Sequence, residues 1–179
     1  MEPSANKISP SFQCLDAIEV SLCIEKQGLV FYEKASKTAA DPRVREIFSR
    51  LAGEEKEHIQ SLQAKARFLQ PALVKKSVSR KNRAEEFIAN ELDEKVFPVP
   101  GWEDGLAGKV SSDEEALDIG IEAEKRSIKV LSRLIEREKK MDVRAIFNHL
   151  LAEERKHLAA LEKLKRSWGQ KGAGEEDSG

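Results

Sequence analysis

The sequence predicts an all-α protein, a four-helix bundle built from two helical hairpins joined by a long crossover that carries a short extra helix. Three observations lead there. Charged residues make up 35% of the 179 and aromatics only 6%, a mix that suits long, salt-bridged helices better than sheets. Shifted by 99 residues, positions 17–68 overlie 116–167 without a gap, and 13 of the 52 pairs are identical. A repeat of that length marks a duplicated supersecondary unit. Within each copy the apolar residues recur at helical intervals.

In the first copy Ile18, Leu22, Leu29 and the pair Val30 and Phe31 form a stripe of helical period, and Ile47, Leu51, Ile59 and Leu62 form another. Asp41-Pro42 between them reads as a helix start, with aspartate as the cap and proline at the first helical position. The clearest repeated block is Val44-Arg45-x-Ile47-Phe48-x-x-Leu51 against Val143-Arg144-x-Ile146-Phe147-x-x-Leu150. Hairpins are therefore expected over 15–39 with 42–69, and over 113–139 with 142–168. Residues 70–111 are too many for a tight turn. Arg83 to Lys95 reads as the extra helix, Pro98, Pro100 and Gly101 follow it, and Trp102 is expected to anchor the crossover to the bundle. The next helix starts at Ser111-Ser112-Asp113. Residues 1–168 are read as one domain, and 169–179, Gly-rich and acidic, as a disordered tail.

Several classes are disfavoured. With 31 basic and 32 acidic residues the formal net charge is −1, so no nucleic-acid partner is expected. No apolar run approaches the roughly 20 residues that a membrane span needs. Met1 to Pro10 is polar and lacks a hydrophobic signal core, which makes the expected location cytoplasmic. Cys14 and Cys23 lie nine positions apart in one predicted helix, too far to bridge each other. Without a Cys-x-x-Cys pair the chain has no cysteine-held zinc or iron site.

The chemistry points to the histidines. There are three, and the repeat superposes two of them, His58 and His157. Each has a glutamate three positions earlier, Glu55 and Glu154, on the same helix face. The preceding helix of each hairpin supplies one more carboxylate within an apolar stretch, Glu25 or Glu124. Four facing carboxylates would repel one another and cost several kcal/mol each to bury unpaired. Two divalent cations balance those four charges, and mixed oxygen and nitrogen donors suit iron or manganese. The pattern matches that of di-iron and di-manganese bundles, one Glu from each of two helices and Glu-x-x-His from the other two.

A single Glu-x-x-His on a charged helix would carry little weight; two copies at the offset of the upstream glutamate pair carry a great deal. Glu54 and Glu153, four positions before the histidines, share that face as well, so spacing leaves the choice between neighbours open. His149 overlies Arg50 and is read as structural or surface. Cys23 is read as a small packing residue. Tyr32, two turns beyond Glu25 on the same face, is read as a core aromatic near the site, with Leu131 in its place in the second copy.

Ile24-Glu25-Lys26-x-x-x-x-Phe31-Tyr32 and Leu51-Ala52-x-Glu54-Glu55-x-x-His58 resemble the first-hairpin motifs of the rubrerythrin branch of the ferritin-like superfamily. Ile121-Glu122-Ala123-Glu124-Lys125 and Leu151-Ala152-Glu153-Glu154-x-x-His157 resemble its second pair. The resemblance implies a ferritin-like bundle whose ligands are Glu25, Glu55, His58, Glu124, Glu154 and His157. It implies two iron ions (manganese being the alternative), reaction with hydrogen peroxide or dioxygen, and a homodimer or larger homo-oligomer. The chain departs from it twice. It has no four-cysteine rubredoxin module, so electrons are expected from a separate donor protein. Ser127 stands where rubrerythrins carry a further glutamate, which brings the site closer to the six-ligand set of ferritin-like ferroxidases. The leading expectation is a di-iron oxidoreductase. The alternatives are a ferroxidase that handles iron and a non-enzymatic helical module stabilised by metal.

Overall fold

The computed structural model describes residues 12–73, 84, 87, 88, 96 and 112–172. Four helices occupy nearly all of them: α1 (Cys14–Thr38), α2 (Pro42–Leu73), α3 (Asp113–Arg137) and α4 (Met141–Gly172). No strand occurs among the described residues, and no helix there is long and apolar enough to cross a membrane. α1 packs along α2 and α3 along α4, and the two hairpins meet chiefly where α1 lies against α4.

Each helix starts where a side chain satisfies amides that have no intrahelical partner. Asp16 accepts from the Gln13 amide at 2.7 Å, and Asp41 accepts from the Arg43 amide at 2.7 Å with Pro42 between them. Ser112 accepts from the Glu115 amide at 3.1 Å. The first turn of α3 is acidic throughout, Asp113, Glu114 and Glu115, which complements the positive helix N-terminus.

The hairpin loops, 39–41 and 138–140, are pinned by carboxylates of α3 and its end. Asp113 accepts from the amides of Ala40 (3.0 Å) and Asp41 (2.6 Å), tying the first loop to the second hairpin. Glu138 accepts from Lys139 (2.8 Å), Lys140 (2.9 Å) and the distant Phe12 (3.2 Å). The bonds to Asp113 cross between the hairpins, and the Phe12 bond ties the segment before α1 to the second loop.

The buried stripe of α1 runs through Ala17, Ile18, Ser21, Ile24, Glu25, Gly28, Phe31, Tyr32 and Ala35. This corrects part of the expected stripe: Leu22 and Leu29 are only partly buried, and Val30 is 48% exposed. Val30 is one residue, about 100°, away from Phe31, enough to carry it off the face that meets the other helices. Phe31, Tyr32 and Phe48 form an aromatic cluster, with Tyr32 stacked on Phe48 at 5.9 Å. Gly120 lets α3 come close to this cluster, since a Cβ there would meet Phe31 and Leu161 at 3.3 Å.

Two helices run past their expected ends. α2 continues from 69 to Leu73, where Pro71 removes a single intrahelical amide near the terminus. α4 continues from 168 to Gly172, so 169–172, assigned to the tail from composition, are helical. One glycine such as Gly169 costs about 1 kcal/mol in a helix, too little to stop one already nucleated and packed. The remaining tail, most of Arg83–Lys95 and Trp102 lie outside the described residues. Of the crossover, Ala84 and Val96 are buried, and Phe87 meets Phe12 edge-on at 5.5 Å.

Candidate metal centre

The helix bounds explain why the four glutamates meet. Glu25 and Thr38, Pro42 and Glu55, Glu124 and Arg137, and Met141 and Glu154 are each thirteen positions apart. Every glutamate therefore stands about 20 Å along its helix from a three-residue loop. Two hairpins with equal arms, brought into register, place the four at one level. Each occupies a position on the buried stripe where an apolar residue would otherwise pack, and all four are at most 1% exposed.

The six side chains that the resemblance implies as ligands converge, through two groups that share a residue. Glu55, Glu124, Glu154 and His157 form one group of potential ligand atoms within 4.8 Å of one another; Glu25, Glu55 and His58 form the other. His157 turns its Nδ1 towards Glu55 (3.3 Å), Glu124 (3.5 Å) and Glu154 (3.6 Å). His58 turns its Nδ1 towards Glu25 (3.3 Å) and Glu55 (4.0 Å). The two imidazoles are nearly parallel, with ring centroids 5.9 Å apart. Glu54 and Glu153, which spacing could not separate from their neighbours, lie instead beside the outer Nε2 atoms. Each approaches the histidine of the facing helix, Glu54 to His157 at 3.3 Å and Glu153 to His58 at 3.9 Å.

The inward atoms fit a cation pair. Glu25 Oε2, Glu55 Oε2, Glu124 Oε2, Glu154 Oε2 and both Nδ1 atoms are buried with no hydrogen-bond partner. An orphaned buried polar atom costs about 1–3 kcal/mol, more for a charged one. So many at one point are tolerable where a cation takes up their lone pairs. The residues present fit two divalent metals.

Titration reflects the crowding. Burial and the neighbouring Glu25 push the Glu55 carboxyl well above its ordinary range. Burial and the charge of Glu154 do the same to Glu124. Burial would raise Glu154 as well, but His157, Glu124 and Ser127 outweigh it and leave Glu154 lowered. Burial likewise opposes charge on His157, yet Glu124, Glu154 and Glu55 together raise its pKa far above that of a free imidazole. Glu25 beside His58 raises that histidine too. The cluster keeps protons that two cations would displace.

Two supporting contacts escaped the sequence reading. Tyr32 does more than fill the core: its fully buried hydroxyl donates to Glu124, and its ring meets His157 edge-on at 6.4 Å. Burial and Glu124 push the phenol well above its usual pKa, so it stays a donor. Ser127 donates to Glu154 at 2.8 Å. A serine three positions beyond Glu124, and so on the same helix face, was the available signal.

A cleft of about 40 Å³ opens over His58, lined by Glu25, Leu62, Ile146, His149 and Glu153 among others. His149 is exposed at its mouth, in keeping with the surface role expected of it. Cys23 is half-buried near the Gln27 amide, at 3.6 Å.

The sequence pattern of the Rubrerythrin family fits residues 16–165, which takes in both hairpins and all six converging side chains. Neither the curated proteins nor the solved structures yielded a match. Four helices in two equal-armed hairpins, the duplicated Glu-x-x-His and the extent of the family match lead to one assignment: the chain belongs to the rubrerythrin family of ferritin-like di-iron proteins.

Proposed function

We propose that the chain is a di-iron carboxylate oxidoreductase that reacts with hydrogen peroxide or dioxygen, with Glu25, Glu55, His58, Glu124, Glu154 and His157 as the metal ligands. The observation that carries this reading is the pair of Glu/His groups joined at Glu55, whose inward oxygen and nitrogen atoms are buried without hydrogen-bond partners. Two ferrous ions would supply the two electrons that, with two protons, convert hydrogen peroxide to two waters. The residues supply the rest. Tyr32 and Ser127 hold Glu124 and Glu154 in place and leave their second oxygens turned inward. Burial keeps bulk water from the His157 side.

The cleft over His58 supports a small oxidant. Its volume of about 40 Å³ suits about three or four water-sized groups, at about 10–15 Å³ each. Re-reduction would come from a separate electron-donor protein. A homodimer or larger assembly, a cytoplasmic setting and a part in oxidative-stress defence belong to the same reading and are supported by the family alone.

Ser127 favours a second reading. It offers a hydroxyl where a seventh carboxylate would give the rubrerythrin set, and the six-ligand set that results suits a ferroxidase passing oxidised iron onward. Anaerobic loading with Fe(II), followed by rapid mixing with peroxide or with oxygen, separates the two. Fast oxidation selective for peroxide supports the oxidoreductase, and oxidation by oxygen with accumulating ferric product supports iron handling. No oxidation by either would leave the metals a structural clamp and defeat both.

A further inference from the structure

The inner glutamates of the repeated motifs face the cluster, but the glutamate immediately before each points somewhere the repeat alone would not indicate. Glu54 of α2 reaches across the bundle to Nε2 of His157 on α4, at 3.3 Å, and Glu153 of α4 reaches back towards Nε2 of His58 on α2, at 3.9 Å. Both outer glutamates are held from behind by a cation of their own helix. Arg50 pairs with Glu54 at 3.2 Å and Lys156 with Glu153 at 2.8 Å. Two chains of contacts therefore run inward from the surface, Arg50–Glu54–His157 and Lys156–Glu153–His58, each crossing from one hairpin to the other.

We infer that Glu54 and Glu153 are positioning residues which fix the tautomer and ring orientation of the opposite hairpin's histidine, so that each imidazole presents an unprotonated Nδ1 to its cation. The inference rests on the proposed metal centre. An imidazole binds a cation through one nitrogen only if its proton sits on the other, and an acceptor at the outer nitrogen selects that tautomer. Nε2 of His157 is buried and has no hydrogen-bond partner as the side chains now stand, so Glu54, the acidic group 3.3 Å from it, is the acceptor in place. The terminal torsion of a glutamate is broad, and Glu54 is partly exposed, so aligning its oxygen with the N–H requires little. The arrangement is reciprocal, and neither hairpin alone completes a half-site. The shorter contact belongs to His157, which makes Glu54 the stronger of the two.

The test uses the full chain, with cobalt(II) as the probe metal for affinity and zinc(II) for nuclear magnetic resonance of 15N-labelled histidines. Glu54→Ala is expected to weaken one of two cobalt sites about 10–100-fold and to expose the His157 Nε2–H to rapid exchange with water. Glu54→Gln keeps an acceptor oxygen and is expected to restore most of both. Glu153→Ala should act on His58, with a smaller loss. Equal losses for Glu54→Ala and Glu54→Gln, unchanged cobalt affinity in Glu54→Ala, or a disturbed His58 signal in place of His157 would each overturn the inference while leaving the metal centre intact. Failure of the unaltered chain to bind cobalt would overturn the metal centre and the inference together. Glu54 is a surface position on a helix, and alanine is the best helix former, so folding is not at stake.

Discussion

His58 and His157 hold equivalent positions of the repeat, yet their surroundings differ. His157 is 1% exposed, faces three carboxylates, and has Tyr32 against its ring. His58 is 21% exposed, faces two carboxylates, and borders the cleft. The difference comes from the positions where the copies diverge. Tyr32 braces Glu124, while its counterpart Leu131 can donate nothing to Glu25. Ser127 braces Glu154, while its counterpart Gly28 offers Glu55 no side chain. The two copies carry matched donor sets, and where they diverge one histidine is enclosed while the other borders a cleft.

The largest test of that asymmetry is removal of a histidine. His157→Ala is expected to abolish most metal binding, by more than the roughly 100-fold that an outer contact can contribute, because it also strands three buried carboxylates. His58→Ala should lower occupancy less, since water from the cleft can take the vacant position. Metal analysis after dialysis reads both, and equal or reversed losses would break the comparison.

Metal removal comes next, and its effect depends on pH. Glu55 and Glu124 bind protons more tightly folded than unfolded, so the metal-free protein loses stability as pH rises above the unfolded carboxylate value of about 4.3. His157 and His58 are also raised when folded; their contribution is complete below about pH 6.5 and declines above it. Glu154 has the opposite sign, with a contribution present above about pH 4.3 and lost only in stronger acid. Between pH 5 and 7.5 the metal-free protein should therefore weaken. The rise in unfolding midpoint on metal loading should be larger at pH 7.5 than at pH 5. Thermal scans of both forms at both pH values check this, and an equal rise would mean that the carboxylates share no buried site.

Smaller again, Tyr32→Phe should destabilise the metal-free protein by about 1–3 kcal/mol, the cost of leaving a buried acceptor unsatisfied. Ser127→Ala should cost a similar amount, about 1–3 kcal/mol, because it too strands a buried carboxylate oxygen, that of Glu154. Denaturant titration measures each, and a Tyr32→Phe protein as stable as the parent would remove the brace from the account of the closed half. Smallest is His149→Ala, expected to leave the metal content unchanged because the residue stands at the mouth of the cleft, outside both ligand groups. A loss of metal would show that the open half reaches further outward than Glu25, Glu55 and His58.

Much of this was legible in the sequence for a reason particular to duplicated helices. A repeat aligned without gaps transfers position along the helix and angle around it together. Glu25 with Glu124, Glu55 with Glu154 and His58 with His157 are thus paired by the sequence alone. The first hairpin loop was marked by Asp41-Pro42, and the third helix by Ser112, whose capping bonds are present. Val30 and the ends of α2 and α4 were misplaced because apolar character and single Pro or Gly residues are weak guides where packing against a neighbouring helix decides.

By itself, then, the sequence determined the four helices, the two matched arms and the repeat-related pairs Glu25 with Glu124 and His58 with His157, and left each histidine two candidate glutamates on its own helix. Helical periodicity and equal spacing from short loops are local properties of the chain, and they leave little freedom at that scale. Only the tertiary structure decided that Glu54 and Glu153 cross to the opposite hairpin's histidine, that Tyr32 reaches Glu124, and that His157 is enclosed while His58 borders a cleft. Spacing along one helix gives the direction in which a side chain leaves its own axis. It carries no information about which neighbouring helix lies there, and that is settled by how two amphipathic hairpins pack when they bury their apolar faces together.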